Sequence, residues 1–172
     1  RLDEQRHGRR TRQLAREHQL RLILQIAYFR ADNGVPRLAS ELGESEVAPE
    51  VLQHFRDVHH ITGIGASAGV EIEVFDRPFE ARSRSEYTAA VLKRIQVLDA
   101  GPAALFLDPD TGLLPNRASP KHVTPDEVRA LWDALRPRDW LVLYQHASRE
   151  TNWIAKRREA FEAAVPGAHV VQ

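Results

Sequence analysis

The sequence predicts an α/β fold, an open and mostly parallel sheet with helices on both faces. Three observations carry that expectation. In the second half of the chain, amphipathic helical segments alternate with short apolar runs. Two of the runs, Ala103–Leu107 and Trp140–Tyr144, are apolar throughout rather than alternating, as strands covered on both faces require. Both runs end abruptly in polar residues, Asp108-Pro109-Asp110 and Gln145-His146. Helix–strand alternation of this kind builds a parallel sheet with right-handed crossovers.

The elements follow in order. Leu20–Phe29 is a compact apolar run closed by the turn signal Asp32-Asn33-Gly34, and so a strand. Pro49 opens a short helix with Val51, Leu52 and Phe55 on one face. Val70–Phe75 alternates apolar and acidic residues, the pattern of a half-exposed strand. Ser83 and Glu86 have the spacing of a capping box, and Tyr87, Val91, Ile95 and Leu98 then repeat at helical spacing up to Gly101-Pro102. Thr124 and Glu127 form a second box, with Pro125 at the first helical position, where its missing N–H costs nothing. Val128, Leu131, Trp132 and Leu135 face the core from that helix. Ser148 caps a last helix with Trp153, Ile154, Phe161 and Ala164 inside, Pro166-Gly167 ends it, and Ala168–Val171 is a final strand.

A length of 172 residues fits one domain, 1–172, with residues 1–19 as a basic N-terminal helix or arm. A chain of this size buries roughly 70% of its unfolded surface and needs no covalent staple. Twenty-four basic and 24 acidic residues cancel, which excludes a strongly basic nucleic-acid coat or an acidic tail and leaves room only for a local patch. Such a patch would be the opening segment, where seven arginines stand against Asp3, Glu4 and Glu17 up to Arg21. The absence of cysteine excludes a disulfide scaffold, a thiolate zinc site and a cysteine nucleophile. No run reaches the ~20 apolar residues of a membrane span, and no signal-peptide pattern opens the chain. The expectation is a cytoplasmic protein without a membrane partner.

Ligands of open parallel sheets bind beyond the carboxyl ends of the strands. If the strands ending at Asp108 and Tyr144 are neighbours, ~4.8 Å apart, then Asp108, Asp110 and His146 converge on one cleft, and Lys121 reaches its rim. Pro109, Thr111, Gly112, Tyr144 and Gln145 then form the substrate-facing surroundings, with one of Tyr144 and Gln145 packed against a helix by alternation. Two carboxylates one residue apart suit Mg²⁺, so Asp108 and Asp110 are candidate metal ligands. Asp-Pro and Asp-Thr-Gly are also ordinary turn chemistry. His146 is either a general base or a rim histidine that hydrogen-bonds the helix start. The glycines from Gly63 to Gly69 do not make a dinucleotide fingerprint, because a strand follows them instead of a helix. The pair His59-His60 has no third ligand at a sensible spacing.

The stretch AALFLDPDTGL followed by KHVTPDEVRALWDALRPRDWLVLYQHASRE resembles a bacterial family of uncharacterised proteins with a D-P-D-[NT]-G-[LI] box and a later Y-[QH]-H box. More distantly it is similar to the fourth and fifth strands of Rossmann-like, S-adenosylmethionine-dependent methyltransferases that modify amino groups in nucleic acids. In those enzymes an Asp-Pro-Pro-aromatic box ends a strand, and its acidic residue accepts a hydrogen bond from the target amine. Asp108 and Pro109 match the first two positions; Asp110 and Thr111 depart from the other two. The resemblance implies a Rossmann-like, methyltransferase-like fold, S-adenosylmethionine as cofactor, and an amine on nucleic acid or a small molecule as substrate. Two other readings stand beside it. One is a Mg²⁺-dependent phosphoester hydrolase or nuclease using Asp108, Asp110, Lys121 and His146. The other is a non-catalytic binding domain with a degenerate site.

Overall fold

The computed structural model describes residues 18–28, 59, 62–63, 65, 69–98, 101–114 and 119–171. Its elements are β1 (Leu22–Ala27), β2 (Glu71–Phe75), α1 (Arg84–Gln96), β3 (Ala103–Asp108), β4 (Gly112–Leu113), β5 (His122–Val123), α2 (Pro125–Ala134), β6 (Trp140–Leu143) and α3 (Trp153–Ala164). The expected short helix at Pro49 and most of the arginine-rich opening lie outside the described residues.

Four strands form one sheet in the order β2-β1-β3-β6, every neighbouring pair parallel. The α/β fold with a parallel sheet is therefore as the alternation of elements implies. The chain leaves β1 to one side to make β2, returns past β1 through α1 to make β3, and continues outward through α2 to β6. The direction of travel thus reverses between β1 and β3. In doubly wound sheets that reversal opens a crevice at the carboxyl ends of the two strands.

The faces of the sheet are set by alternation. Leu24 and Ile26 of β1 and Leu105 and Leu107 of β3 point to one face, where they meet Tyr87, Val91 and Ile95 of α1, Val128 and Leu131 of α2 and Ala164 of α3. The opposite face carries a smaller cluster of Leu20, Ile23, Val70, Ile72 and Ala104, with Phe106 and Trp140 against it. At the carboxyl end of β1, Tyr28, Phe75, Phe79 and Tyr87 pack edge to face and tilted, with centroids 5.0–5.3 Å apart. The Tyr87 hydroxyl donates to the Ala27 carbonyl at 3.1 Å, tying α1 to the last residue of β1. At the amino edge, Asp139 accepts from the Ala103 N–H at 2.9 Å while Arg136 bonds both Asp139 and the Gly101 carbonyl. These contacts join the entries to β3 and β6, at the opposite end of the strands from Asp108.

The capping box of α2 forms as expected: Thr124 Oγ1 accepts from Glu127 N at 3.3 Å, and Glu127 Oε2 accepts from Thr124 N at 2.8 Å. Four local expectations need correction. Ser83 makes no side-chain cap, because a 3-10 turn at Ala81–Ser83 precedes α1 and the Ser83 hydroxyl donates back to the Glu80 carbonyl. Ser148 does not cap α3, which starts five residues beyond it after a left-handed Asn152; its hydroxyl is bonded to Glu150 instead. Ile154 is exposed rather than inside. Ala168–Val171 forms no strand: Ala168 and Val170 pack onto the helix-covered core, and among the described residues β6 remains an edge.

Candidate functional site

The carboxyl ends of β1 and β3 hold a partly buried polar pair. Asp108 is the last residue of β3 and lies opposite Ala27 of β1. Gln25, two residues before Ala27 on the same face, donates from Nε2 to Asp108 Oδ2 at 3.1 Å. Both side chains stand on the sheet face opposite α1–α3. Gln25 is 8% exposed and is the one polar residue in the run Leu-Ile-Leu-Gln-Ile-Ala. An amide in the centre of a strand costs about 1–3 kcal/mol if left unbonded, so its partner must be supplied by the fold. Sequence reasoning missed Gln25, although a single polar residue inside an apolar strand was the signal for it.

Beyond Asp108 the chain turns back on itself and is pinned on both sides. Lys121 Nζ stands 3.0 Å from Asp110 Oδ2, Thr111 N donates to the Lys121 carbonyl at 2.9 Å, and β4 runs parallel to β5. From the other side, β6 lies next to β3, as the convergence of the two boxes requires. Tyr144 N donates to the Leu107 carbonyl at 2.9 Å and His146 N to the Thr111 carbonyl at 3.2 Å. The Gln145 carboxamide is the latch: Oε1 accepts from Leu113 N at 2.8 Å, while Nε2 donates to the carbonyls of Thr111 and His146, both at 3.0 Å. Gly112 makes room for it. Its φ is +117°, and a Cβ there would stand 2.2 Å from Gln145 Oε1.

The structure thus brings the Asp108–Gly112 segment beside Tyr144–His146 and assigns the residues different partners. Asp108 meets Gln25, Asp110 meets Lys121, and the Tyr144 and His146 rings meet each other edge on at 4.8 Å. Pro109 is buried beneath the turn. Among the described residues no group of three or more His, Asp or Glu side chains is placed to hold a metal ion.

A second polar assembly supports the same rim. Arg84, at the start of α1, forms a bidentate pair with Glu127 of α2, both contacts 2.8 Å, with the two side chains only 15% and 10% exposed. The same guanidinium donates to the Ser119 carbonyl at 3.1 Å and the His122 carbonyl at 2.5 Å, and lies 4.9 Å over the Phe79 ring. The segment 119–122 is therefore fixed through its backbone. Within it Ser119 Oγ lies 2.5 Å from His122 Nδ1 and accepts from Lys121 N at 3.2 Å. Burial, then the charges of Arg157 and Arg84, hold the His122 imidazole below its ordinary pKa; Lys121 acts in the same direction and Asp110 against it. At the far side of the sheet, Asp76 directly follows β2 and bonds His59 Nε2 at 3.1 Å.

No protein-family model, curated protein or solved structure matches the chain. Among the described residues no helix is long and apolar enough to cross a membrane.

Proposed function

We propose that the chain is a methyltransferase-like enzyme that binds its ligands in the crevice beyond β1 and β3 and sets an amino group against Asp108. One observation carries this reading. The carboxylate at the reversal point of the sheet already accepts an N–H from an –NH₂ group, that of Gln25, at 3.1 Å. An incoming amine would make the same bond. Asp108 would orient the nitrogen lone pair and offset the positive charge that develops as nitrogen forms its new bond. Tyr144 and His146 border the turn that carries Asp108 and would contact the rest of the substrate. The balanced charge of the chain supports a small-molecule amine over a polyanion.

S-adenosylmethionine is the cofactor this reading calls for, and bound there it would supply an electrophilic methyl group. The residues fit it at one end. Asp76, at the carboxyl end of the strand beside β1, would accept the ribose hydroxyls in exchange for its bond to His59. At the other end, the residue directly after β1 is the buried Tyr28, where a glycine would let a ligand approach the backbone closely. The metal-dependent hydrolase reading has less support, because Asp108 and Asp110 are engaged by different partners.

Calorimetric titration with S-adenosylmethionine tests the proposal. Saturable binding is expected, weakened at least tenfold in Asp76→Asn and retained in Asp108→Asn. Absence of heat at millimolar cofactor in the folded wild-type protein would overturn it.

A further inference from the structure

The Ser119–His122 contact has chemistry that the Asp108 crevice does not use. The Ser119 hydroxyl lies 2.5 Å from Nδ1 of His122, a contact in which the hydroxyl is the donor when the ring proton is on Nε2. The same oxygen accepts the Lys121 N–H at 3.2 Å, a bond that supports negative charge on oxygen. Both residues are half-buried and held by one guanidinium: Arg84 bonds the carbonyl of each, and His122 N donates to the Ser119 carbonyl at 3.2 Å. In serine nucleophile sites a third group usually orients the base through its second ring nitrogen. Here the buried Arg84–Glu127 pair fixes the two residues through their backbones.

We propose that Ser119 and His122 form a second reactive centre on the carboxyl edge, a serine nucleophile with its general base, suited to small activated phosphoesters. In the reaction Ser119 Oγ bonds to phosphorus and its proton passes to His122 Nδ1. The bond from phosphorus to the leaving group breaks, and that group departs with the electron pair. His122 then returns the proton to the leaving group or to solvent, leaving a serine phosphoester. Arg157, Arg84 and Lys121 surround the imidazole, each paired with a carboxylate (Glu150, Glu127 and Asp110), and an incoming phosphoryl group, whose oxygens carry charge, would draw on these cations more than a neutral acyl group. A base held below its ordinary pKa is neutral at pH 7 and ready to accept the proton.

Diisopropyl fluorophosphate is the probe, with the adduct located by peptide mass spectrometry. One adduct is expected, on Ser119, with fluoride released. His122→Asn keeps an acceptor for the serine hydroxyl but has no basic nitrogen, and its labelling rate is expected to fall about 100-fold or more. In the wild-type protein the rate is expected to rise with a midpoint below pH 6.5, since burial, Arg157, Arg84 and Lys121 together outweigh Asp110. Far-UV circular dichroism verifies the fold of each variant. An unlabelled Ser119 in the folded wild-type protein, or wild-type labelling in folded His122→Asn, would overturn the proposal. Neither result bears on cofactor binding at Asp76, so the two readings fail separately.

Discussion

Replacing Arg84 by methionine removes four hydrogen bonds at once: two to Glu127 and one each to the carbonyls of Ser119 and His122. It also strands the Glu127 carboxylate, whose side chain is 10% exposed. Breaking a buried pair from one side costs about 3–5 kcal/mol, because the remaining charge keeps its desolvation penalty without its partner. Arg84→Met is therefore expected to lower the free energy of unfolding by that amount, measured by urea denaturation with an unchanged slope. The double variant Arg84→Met/Glu127→Leu removes the stranded charge. It also loses the cap on Thr124 N, worth about 1 kcal/mol, which is less than the stranded charge costs, so it is expected to lie above the Arg84→Met single variant in stability. The interaction energy from the cycle should exceed about 1 kcal/mol. A loss below about 1 kcal/mol in Arg84→Met, or strict additivity of the two substitutions, would refute the assignment of this pair as the structural support of the rim.

Three further outcomes follow from other parts of the structure. Gly112→Ala places a Cβ against the Gln145 carboxamide at a φ of +117°, and is expected to cost about 1–3 kcal/mol or more and to raise amide exchange at Leu113; wild-type stability would contradict the latch. His122 has its folded pKa below the unfolded value of 6.5, so the unfolded chain takes up the proton first as pH falls. Stability is expected to be unaffected by this group well above pH 6.5 and to decline as pH drops from 6.5 toward the folded value, and His122→Gln should flatten that decline in denaturation curves. Burial raises the phenols of Tyr28 and Tyr87 above their usual 10, so stability is expected to fall as pH rises past 10 and the unfolded chain ionises. Absorbance at 295 nm should then show a step coincident with loss of near-UV dichroism, and gradual ionisation of all three tyrosines in folded protein would contradict it.

What the sequence made legible followed from how local the signal was. Ala103–Asp108 and Trp140–Leu143 are continuous apolar runs and pair as neighbours. Thr124-Pro125-Asp126-Glu127 carries its cap entirely within four residues, and it forms. The Ser83 box has the same spacing but fails, because the preceding 3-10 turn satisfies the hydroxyl first. Ala168–Val171 has strand composition but no described strand to pair with, and packing decided its place. At the site, the turn at Asp108–Gly112 was visible from its residue types, while the work of its members was not. Gln145, expected to face substrate, holds the turn together instead. The Arg84–Glu127 pair joins residues 43 apart, and Gln25–Asp108 joins residues 83 apart, separations over which no sequence pattern operates.

β2 and β3 are consecutive strands joined by α1, yet they do not touch: β1 is inserted between them. Without β1 a slot about 9.6 Å wide, two strand spacings, would be left in the sheet, bordered on both sides by unsatisfied backbone groups. A polypeptide starting near Gly69 would present two adhesive edges and is expected to self-associate by strand pairing. A separate peptide spanning residues 18–28 should fill the slot and suppress that association, restoring the four-stranded sheet from two pieces. The same peptide would deliver Gln25 to Asp108, so the fold is completed and its polar crevice is wired by a single insertion.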